Sequence, residues 1–118
     1  MSNELLSIYK ILENWKDIVK ALTDSTKKVL GDVEVVPFGS IVEGKATATS
    51  DLDILVIVKD LPRSALTRAQ IISKIEEATG LPPIHPIQIH LTTWQEAETN
   101  PIYKEILVER LKNKRREE

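Results

Sequence analysis

Apolar residues recur at steps of three and four from Leu5 to Leu22. Because an α-helix turns once every 3.6 residues, this spacing places them on one face of a long helix. The helix is predicted to begin after Ser2 or Asn3, residue types that favour the N-cap position. Its apolar face consists of Leu5, Ile8, Tyr9, Leu12, Trp15, Val19 and Leu22. The pattern breaks between Asp24 and Asp32, in a segment that ends at Gly31.

Two segments with the character of strands follow. Val33 to Phe38 predicts a short strand that has a free side or ends early, because Pro37 within it lacks a backbone donor. Leu52 to Val58 is apolar on both faces, which predicts a central strand with two acidic residues at its start. Residues 41–50, between the two strands, show no helical period and predict a loop.

The second half of the chain predicts a helix, a third strand and two more helices. Gly80 and the prolines after it end the first of these helices. In the third strand, Gln88 and His90 form a polar face opposite the apolar residues Ile87, Ile89 and Leu91. The apolar face predicted for the preceding helix consists of Leu66, Ala69, Ile72, Ile75 and Ala78.

Two capping signals mark the last helices. Thr93 and Glu96 match a capping box that opens a short helix, and Asn100-Pro101 opens the final one. The predicted fold class is therefore α/β (α+β), with a small mixed sheet of about three to four strands flanked by helices.

Composition narrows the functional classes. A chain of 118 residues fits one domain, 1–118. The lack of cysteine excludes disulfides, thiol nucleophiles and cysteine-ligated zinc. A net charge of −2 argues against a broad nucleic-acid-binding surface. Without a signal-peptide pattern or an apolar run of ~18 residues, the protein is expected to be cytoplasmic, with no membrane partner.

Asp51 and Asp53 are the first candidates for chemistry. Residues two apart on a strand project to the same side, with Cα atoms about 6.5 Å apart. At ~4 Å and an effective dielectric of about 20, two such charges repel by roughly 4 kcal/mol. A divalent cation removes this repulsion, and Mg²⁺ suits a site of carboxylates, water and phosphate oxygens. Taken alone, such a pair more often lies in solvent at the start of a strand.

Gly39 and Ser40, which precede the aspartates, make a functional site the better interpretation of the pair. Glycine permits a sharp turn whose backbone lies close to a ligand, and serine adds a hydroxyl donor, a combination suited to phosphate. A glycine and serine alone are more often an ordinary turn, so their combination with Asp51 and Asp53 carries the argument.

The combined motif resembles a known signature. Phe38-Gly39-Ser40, ten intervening residues and Asp51-Leu52-Asp53-Ile54 are similar to the DNA polymerase beta-like nucleotidyltransferase superfamily. More narrowly, FGSIVEGKATATSDLDILVIV resembles the minimal nucleotidyltransferases, especially archaeal ones.

The resemblance implies a polymerase beta-like nucleotidyltransferase fold and a single minimal nucleotidyltransferase domain. It implies that Gly39 and Ser40 hold the phosphates of a nucleoside triphosphate such as ATP, and that Asp51 and Asp53 are catalytic and ligate Mg²⁺ or Mn²⁺. A hydroxyl acceptor would attack the α-phosphate and release pyrophosphate. Such proteins are often paired with a HEPN-domain protein in toxin–antitoxin modules, which makes a HEPN-domain protein a candidate partner.

The chain departs from the family pattern on its third strand. These enzymes commonly carry a third catalytic carboxylate there, and the corresponding position is Gln88. An amide cannot act as a base, and loss of a general base typically costs ~10² to 10⁴ in rate. His90 shares the face of Gln88 and could accept a proton or contact a phosphate, although filling the polar face is the commoner role. His85 is expected in the turn before the strand, and the two histidines do not predict a zinc site.

Three residues of the loop complete the candidates. Lys45 could contact a phosphate, while Glu43 stands where many family members carry a basic residue. Ser50 is predicted to cap the loop by bonding to its backbone.

Two other functions compete with nucleotidyl transfer. Residues 39–46 approach the P-loop pattern, but Ala46 replaces the hydroxyl residue and the segment leads into a strand rather than a helix. The stronger rival is a nucleotide-binding or protein-interaction module that has the fold and little or no activity. The doubly apolar strand Leu52 to Val58 motivates a partner protein or a homo-oligomer that covers one sheet face.

Overall fold

The computed structural model describes residues 13–47 and 50–117 of the chain. In these residues a helix is followed by two strands, a helix, a strand and two helices. The helices are α1 (Trp15–Leu30), α2 (Ala65–Thr79), α3 (Trp94–Thr99) and α4 (Pro101–Glu117). The strands are β1 (Val33–Phe38), β2 (Leu52–Val58) and β3 (Ile87–Thr93). No helix among the described residues is long and apolar enough to cross a membrane.

The three strands form one mixed sheet in the order β1-β2-β3. β1 is antiparallel to the central strand β2, and β3 is parallel to it. β1 is therefore an edge strand, the position in which a sheet tolerates Pro37, because the missing donor can face away from the ladder. The predicted mixed sheet and the central place of Leu52–Val58 are both confirmed.

The two faces of the sheet carry separate cores. Ile54 and Val56 of β2 pack on the face covered by α1 and α2, around the buried Leu22 and Ile75. Leu55 and Ile57 face the other side, where residues of α4 cover them. That second cluster also contains Val36, Phe38, Tyr103, Ile106 and Leu107. Both faces of β2 are buried within the chain itself, which explains why its sequence is apolar in both registers.

The first predicted helix differs from the structure at Asn14 and at its C-terminal end. Residues Leu5, Ile8, Tyr9 and Leu12 and the expected start near Ser2 or Asn3 lie outside the described residues. The described helix α1 begins at Trp15 after the N-cap Asn14, so Asn14 interrupts the predicted helix. α1 also continues past Leu22 to Leu30, contrary to the expected break from Asp24.

Thr26 explains why α1 continues. It lies in the buried stripe one turn after Leu22, and its hydroxyl donates to the Leu22 carbonyl at 2.7 Å. A threonine satisfied in this way can take an apolar position in a helix. The sequence pattern counted it as polar and therefore ended the helix too early.

The predicted face of α2 was also wrong in part. Ile75 is buried as expected, but Leu66 is 70% exposed, and Ala69 and Ala78 are exposed too. Instead, Ile71 packs beside Ile75 against the core. The inward face is rotated because Ile71 and Ile75 are the bulky residues four apart, so burying them removes more apolar surface from water than burying two alanines.

The capping predictions are confirmed. The Thr93 hydroxyl accepts from the amide of Glu96 at 3.1 Å, and the Asn100 side chain accepts from the amides of Ile102 and Tyr103. These bonds fix the starts of α3 and α4 directly after β3. As a consequence, α4 turns back across the sheet face that carries Asp53.

Candidate active site

The candidate site lies where β1 ends and β2 begins. Asp53 of β2 pairs with Phe38, the last residue of β1, on one side and with Gln88 of β3 on the other. Gly39 follows Phe38 directly, with a φ of +92°. A Cβ at Gly39 would lie 2.5 Å from Asp53 Oδ2, so the glycine allows the loop backbone to rest against the carboxylate.

The loop after β1 curls tightly next to this carboxylate. The Gly39 carbonyl accepts from the amide of Glu43 at 3.1 Å, and the Ser40 carbonyl accepts from the amide of Lys45 at 2.9 Å. The donors in these two bonds are the amides of Glu43 and Lys45. Neither bond therefore uses the amide of Ser40. A turn of this kind can present successive amides to an anion.

Asp51 lies just outside the strand and is exposed, while Asp53 is half-buried. The start of β2 is held by the amide of Leu52, which donates to the Pro86 carbonyl at 2.7 Å. The Ser50 hydroxyl accepts from the amide of Thr47 at 2.8 Å, which confirms the predicted cap of the loop. The backbone on which both aspartates stand is therefore fixed from two sides.

His90 contacts Asp53 directly. Its Nε2 lies 3.3 Å from Asp53 Oδ1, and its ring is held between two aromatic rings. The Phe38 ring centroid is 5.1 Å away, and the Tyr103 ring of α4 stands edge-on at 6.2 Å. A histidine in this position orients one oxygen of the carboxylate, while the other oxygen faces the backbone at Gly39.

Phe38 and Tyr103 were not among the candidate residues of the sequence. Phe38 had a signal, because it directly precedes Gly39 in the motif. Tyr103 had none, because only the crossing of α4 over the sheet brings it to His90.

The structure places the remaining candidates as follows. Gln88 is exposed beside Asp53, in the register expected for a third acidic position. Lys45 is exposed in the loop, and its side chain makes no ion pair within the described residues. Glu43 is exposed on the same turn. Gln88 thus lies beside Asp53, whereas Lys45 is joined to the site through its backbone bond to the Ser40 carbonyl.

His85 is separate from this site. Its Nδ1 accepts from the amide of Ile87 at 3.2 Å, so the neutral ring carries its hydrogen on Nε2 and donates it to Glu76. The side chain is only 8% exposed. His85 therefore fastens the turn before β3 to α2, as its predicted place in that turn allows.

The donor set fits a magnesium–phosphate complex better than a closed metal site. Within the part of the chain that the structure describes, no three histidine, aspartate or glutamate side chains are arranged to hold a metal ion. Mg²⁺ commonly takes one or two carboxylates and completes its shell with water and phosphate oxygens. A phosphate on the Gly39 turn would lie beside the Asp53 carboxylate, and a divalent cation stabilises two such negative groups side by side.

The sheet order, the Gly39 turn and the aspartates define a domain of the nucleotidyltransferase class. Residues 12–113 match the nucleotidyltransferase domain family. Because this match covers most of the chain, the protein belongs to that family, and the resemblance seen in the sequence is confirmed.

A crystal structure shows the same fold. It is of a protein from Sulfolobus solfataricus classed as a nucleotidyltransferase, with a TM-score of 0.52 and 21% sequence identity. The alignment covers 86% of this chain and 84% of that chain. At this identity the likeness establishes the fold alone. None of the curated proteins compared with the chain matches it significantly.

Proposed function

We propose that this domain binds a magnesium–nucleoside triphosphate, with ATP as the first candidate, and transfers its nucleotidyl group to a hydroxyl acceptor. The observation that carries the proposal is the approach of Gly39 to Asp53. A side chain at position 39 would overlap the carboxylate. The glycine therefore keeps a phosphate-binding turn and a metal-binding carboxylate in contact, the arrangement that a metal–phosphate complex requires.

Each part of the site has a role in this proposal. Ser40 and the amides of its turn hold the terminal phosphates, and Asp51 and Asp53 ligate Mg²⁺ or Mn²⁺. The bound cation neutralises charge on the phosphates during transfer. His90 orients Asp53 through the contact between Nε2 and Oδ1. Positioning and electrostatic stabilisation then supply most of the rate enhancement.

The transfer itself is a substitution at phosphorus. The acceptor oxygen forms a bond to the α-phosphorus, and the bond from that phosphorus to the oxygen bridging to the β-phosphate breaks. Pyrophosphate leaves with the electron pair, and the hydroxyl proton passes to water. Gln88 cannot take that proton, because a side-chain amide is not a base at neutral pH.

The direct test replaces both aspartates. We expect the double variant Asp51→Asn/Asp53→Asn to bind Mg-ATP at least about tenfold more weakly, because it loses both charged ligands. The matched control is Asp24→Asn/Asp60→Asn, which removes the same charge from exposed positions away from the site. Calorimetric titration with ATP, in Mg²⁺ and in EDTA, measures both. Undiminished binding by the first variant would show that the metal assignment is wrong.

A second candidate function is nucleotide binding without transfer. The observation in its favour is Gln88, an amide in the register position beside Asp53. Metal-dependent binding of ATP without pyrophosphate release would support this role.

Gln88→Glu distinguishes the two functions. If position 88 is where the missing acid belongs, the substitution should raise pyrophosphate release by about tenfold or more. Gln70→Glu, on an exposed face of α2, is the control for added charge. An unchanged rate in Gln88→Glu would mean that position 88 is not the third acidic position.

The proposal extends to a partner protein. The partner is either a HEPN-domain protein, for which this chain would act as the antitoxin, or a second copy of this chain. Large apolar side chains on α4 are exposed, among them Ile102, Val108 and Leu111. Light scattering of the protein alone, and then mixed with a HEPN-domain protein, tests this. A monomer in both samples would contradict it.

A further inference from the structure

The segment between α2 and β3 contains a buried histidine that the proposed transfer does not use. Three of the five residues 82–86 are prolines, which have no backbone donor, so this segment has few amides with which to hold its own shape. The side chain of His85 lies in it and is only 8% exposed. Buried polar atoms need partners, and the partners of this ring are what hold the segment in place.

His85 uses both of its ring nitrogens. Nδ1 accepts from the amide of Ile87 at 3.2 Å, which sets the bend by which the chain enters β3. Nε2 carries the hydrogen and donates it to the carboxylate of Glu76, on the last turn of α2. The ring therefore joins the start of a strand to the end of a helix.

The end of α2 that carries Glu76 is itself firmly attached. The preceding residue, Ile75, is fully buried in the core. The Glu76 carbonyl accepts from the amide of Leu81 at 3.1 Å, which closes the end of the helix. The Ser25 hydroxyl of α1 donates to the Ala78 carbonyl at 3.2 Å. A side chain bonded to Glu76 is therefore fixed relative to the core.

The residue after His85 reaches the candidate site. The Pro86 carbonyl accepts from the amide of Leu52 at 2.7 Å, and this amide belongs to the peptide group between Asp51 and Leu52. Asp53 pairs with both neighbouring strands, whereas Asp51 precedes the strand and pairs with neither. The orientation of Asp51 relative to Asp53 therefore depends on the bond to Pro86.

We propose that His85 is a positioning residue of the metal site. The inference rests on the proposed function, in which Asp51 and Asp53 ligate Mg²⁺. Glu76 holds His85, and His85 fixes the turn that carries Pro86. The Pro86 carbonyl then fixes the peptide group next to Asp51. Because Mg²⁺ demands near-ideal octahedral geometry, two carboxylates bind it best when their relative orientation is set beforehand.

Variants of Glu76 test this link and leave the core unaltered, since the side chain is 31% exposed. We expect Glu76→Ala to bind Mg-ATP about five- to tenfold more weakly, because residues that orient metal ligands typically contribute tenfold or more to metal affinity. Glu76→Gln keeps an acceptor oxygen for the Nε2 hydrogen and should stay within about twofold of the unaltered protein. Glu77→Ala, at the exposed neighbouring position, is the control for lost charge. Calorimetric titration measures all four proteins.

The metal dependence separates positioning from a general loss of structure. In EDTA the aspartates have no cation to ligate, so Glu76→Ala and the unaltered protein should bind ATP with affinities within about twofold of each other. Equal weakening in Mg²⁺ and in EDTA would attribute the effect to the fold and overturn the proposal. The proposal also fails if Glu76→Gln is as weak as Glu76→Ala, because the acceptor oxygen would then be irrelevant.

The Leu52 amide reports the link without any nucleotide. Amide hydrogen exchange, followed by NMR, measures how often the bond from Leu52 to Pro86 opens. We expect exchange at Leu52 to be about tenfold faster in Glu76→Ala, and exchange at Val56, in the middle of β2, to be unchanged. An unchanged rate at Leu52, or equal acceleration at both amides, would contradict the positioning role.

His85→Asn tests the same bond from its other end. The asparagine oxygen can replace Nδ1 as the acceptor for Ile87, but this side chain is too short to reach Glu76. We expect His85→Asn to weaken Mg-ATP binding as much as Glu76→Ala does, and the double variant to be no weaker than either, because all three lack one bond. Additive losses would show that the two residues act independently and would overturn the proposal.

The two proposals fail separately. Mg-ATP binding that is normal in both Glu76→Ala and His85→Asn would overturn the positioning role alone. Failure of the unaltered chain to bind Mg-ATP would overturn the proposed function, and with it the metal role of His85.

Discussion

At the scale of single residues, the site depends on the contact between a glycine backbone and an aspartate side chain. Gly39 has a positive φ and leaves no room for a Cβ beside Asp53 Oδ2. Gly44, five residues later in the same loop, also has a positive φ, of +74°, but has nothing within 4 Å of a Cβ. Both glycines have a positive φ, which favours glycine. Only at Gly39 would a Cβ also overlap a neighbouring side chain.

This difference gives a matched pair of substitutions. Both Gly39→Ala and Gly44→Ala should cost about 1 kcal/mol in backbone strain. Only Gly39→Ala displaces the Asp53 carboxylate, so we expect its affinity for Mg-ATP to fall about tenfold or more. The affinity of Gly44→Ala should stay within about threefold of the unaltered protein. Calorimetric titration measures the affinities, and urea denaturation measures the strain.

Equal affinities for Mg-ATP in the two alanine variants would contradict this interpretation of Gly39. If both affinities fell equally, the effect would come from the loop backbone and not from the contact with Asp53.

At the scale of the elements, helices are attached to the sheet by caps and by a few side-chain bridges. Arg68 of α2 donates two hydrogen bonds to the Glu96 carboxylate of α3, at 2.9 and 2.6 Å, and one to the Pro62 carbonyl at 2.7 Å. The bonds from Arg68 lower the pKa of Glu96, against the smaller opposing effect of burial. The same bonds raise the pKa of Arg68.

The Arg68–Glu96 bridge predicts a small, pH-dependent stabilisation. Since the pKa of Glu96 is lowered by folding, the contribution is complete above the ordinary pKa of a glutamate, about 4.3, and is lost as the pH falls through the lower folded value. The raised pKa of Arg68 has no effect in this range, because arginine stays charged. Glu96 is 45% exposed, so we expect Glu96→Gln to lower the free energy of unfolding at pH 7 by about 0.3–1 kcal/mol.

Urea denaturation at several pH values measures this contribution. The difference between the unaltered protein and Glu96→Gln should shrink toward zero as the medium becomes acidic. Glu98→Gln, on the same helix and without an ion pair within the described residues, should show no such pH-dependent difference. A difference for Glu96→Gln that stays constant or grows on acidification would contradict the role of the bridge.

At the scale of the whole molecule, the two faces of the sheet differ, because one carries the larger core and the other carries the candidate site. α1 and α2 cover one face and bury the larger core. The other face carries Leu55 and Ile57 under α4, with Asp53, Gln88 and His90 nearer its edge. The crossing of α4 therefore has two effects: it buries the second face of β2, and it brings Tyr103 to His90.

The sequence predicted the elements best where local pattern and packing agree. The bounds of β1 and β2 were predicted to the residue, because each is a short, mostly apolar segment with turn-forming or charged residues at both ends. The caps at Thr93 and Asn100 were predictable because a cap involves only residues two or three apart. The inward face of α2 and the length of α1 were missed, because each depends on what the helix packs against.

The sequence by itself determined the local motif: the Gly39-Ser40 turn, the two aspartates at the start of a buried strand, and the family to which they point. Each of these is set by residues close together in the chain, whose backbone geometry follows from residue type. Only the tertiary structure decided that His90 meets Asp53 and that the Tyr103 ring packs against His90. Those contacts join residues far apart in sequence, and their geometry follows from strand register and from the path of α4 over the sheet.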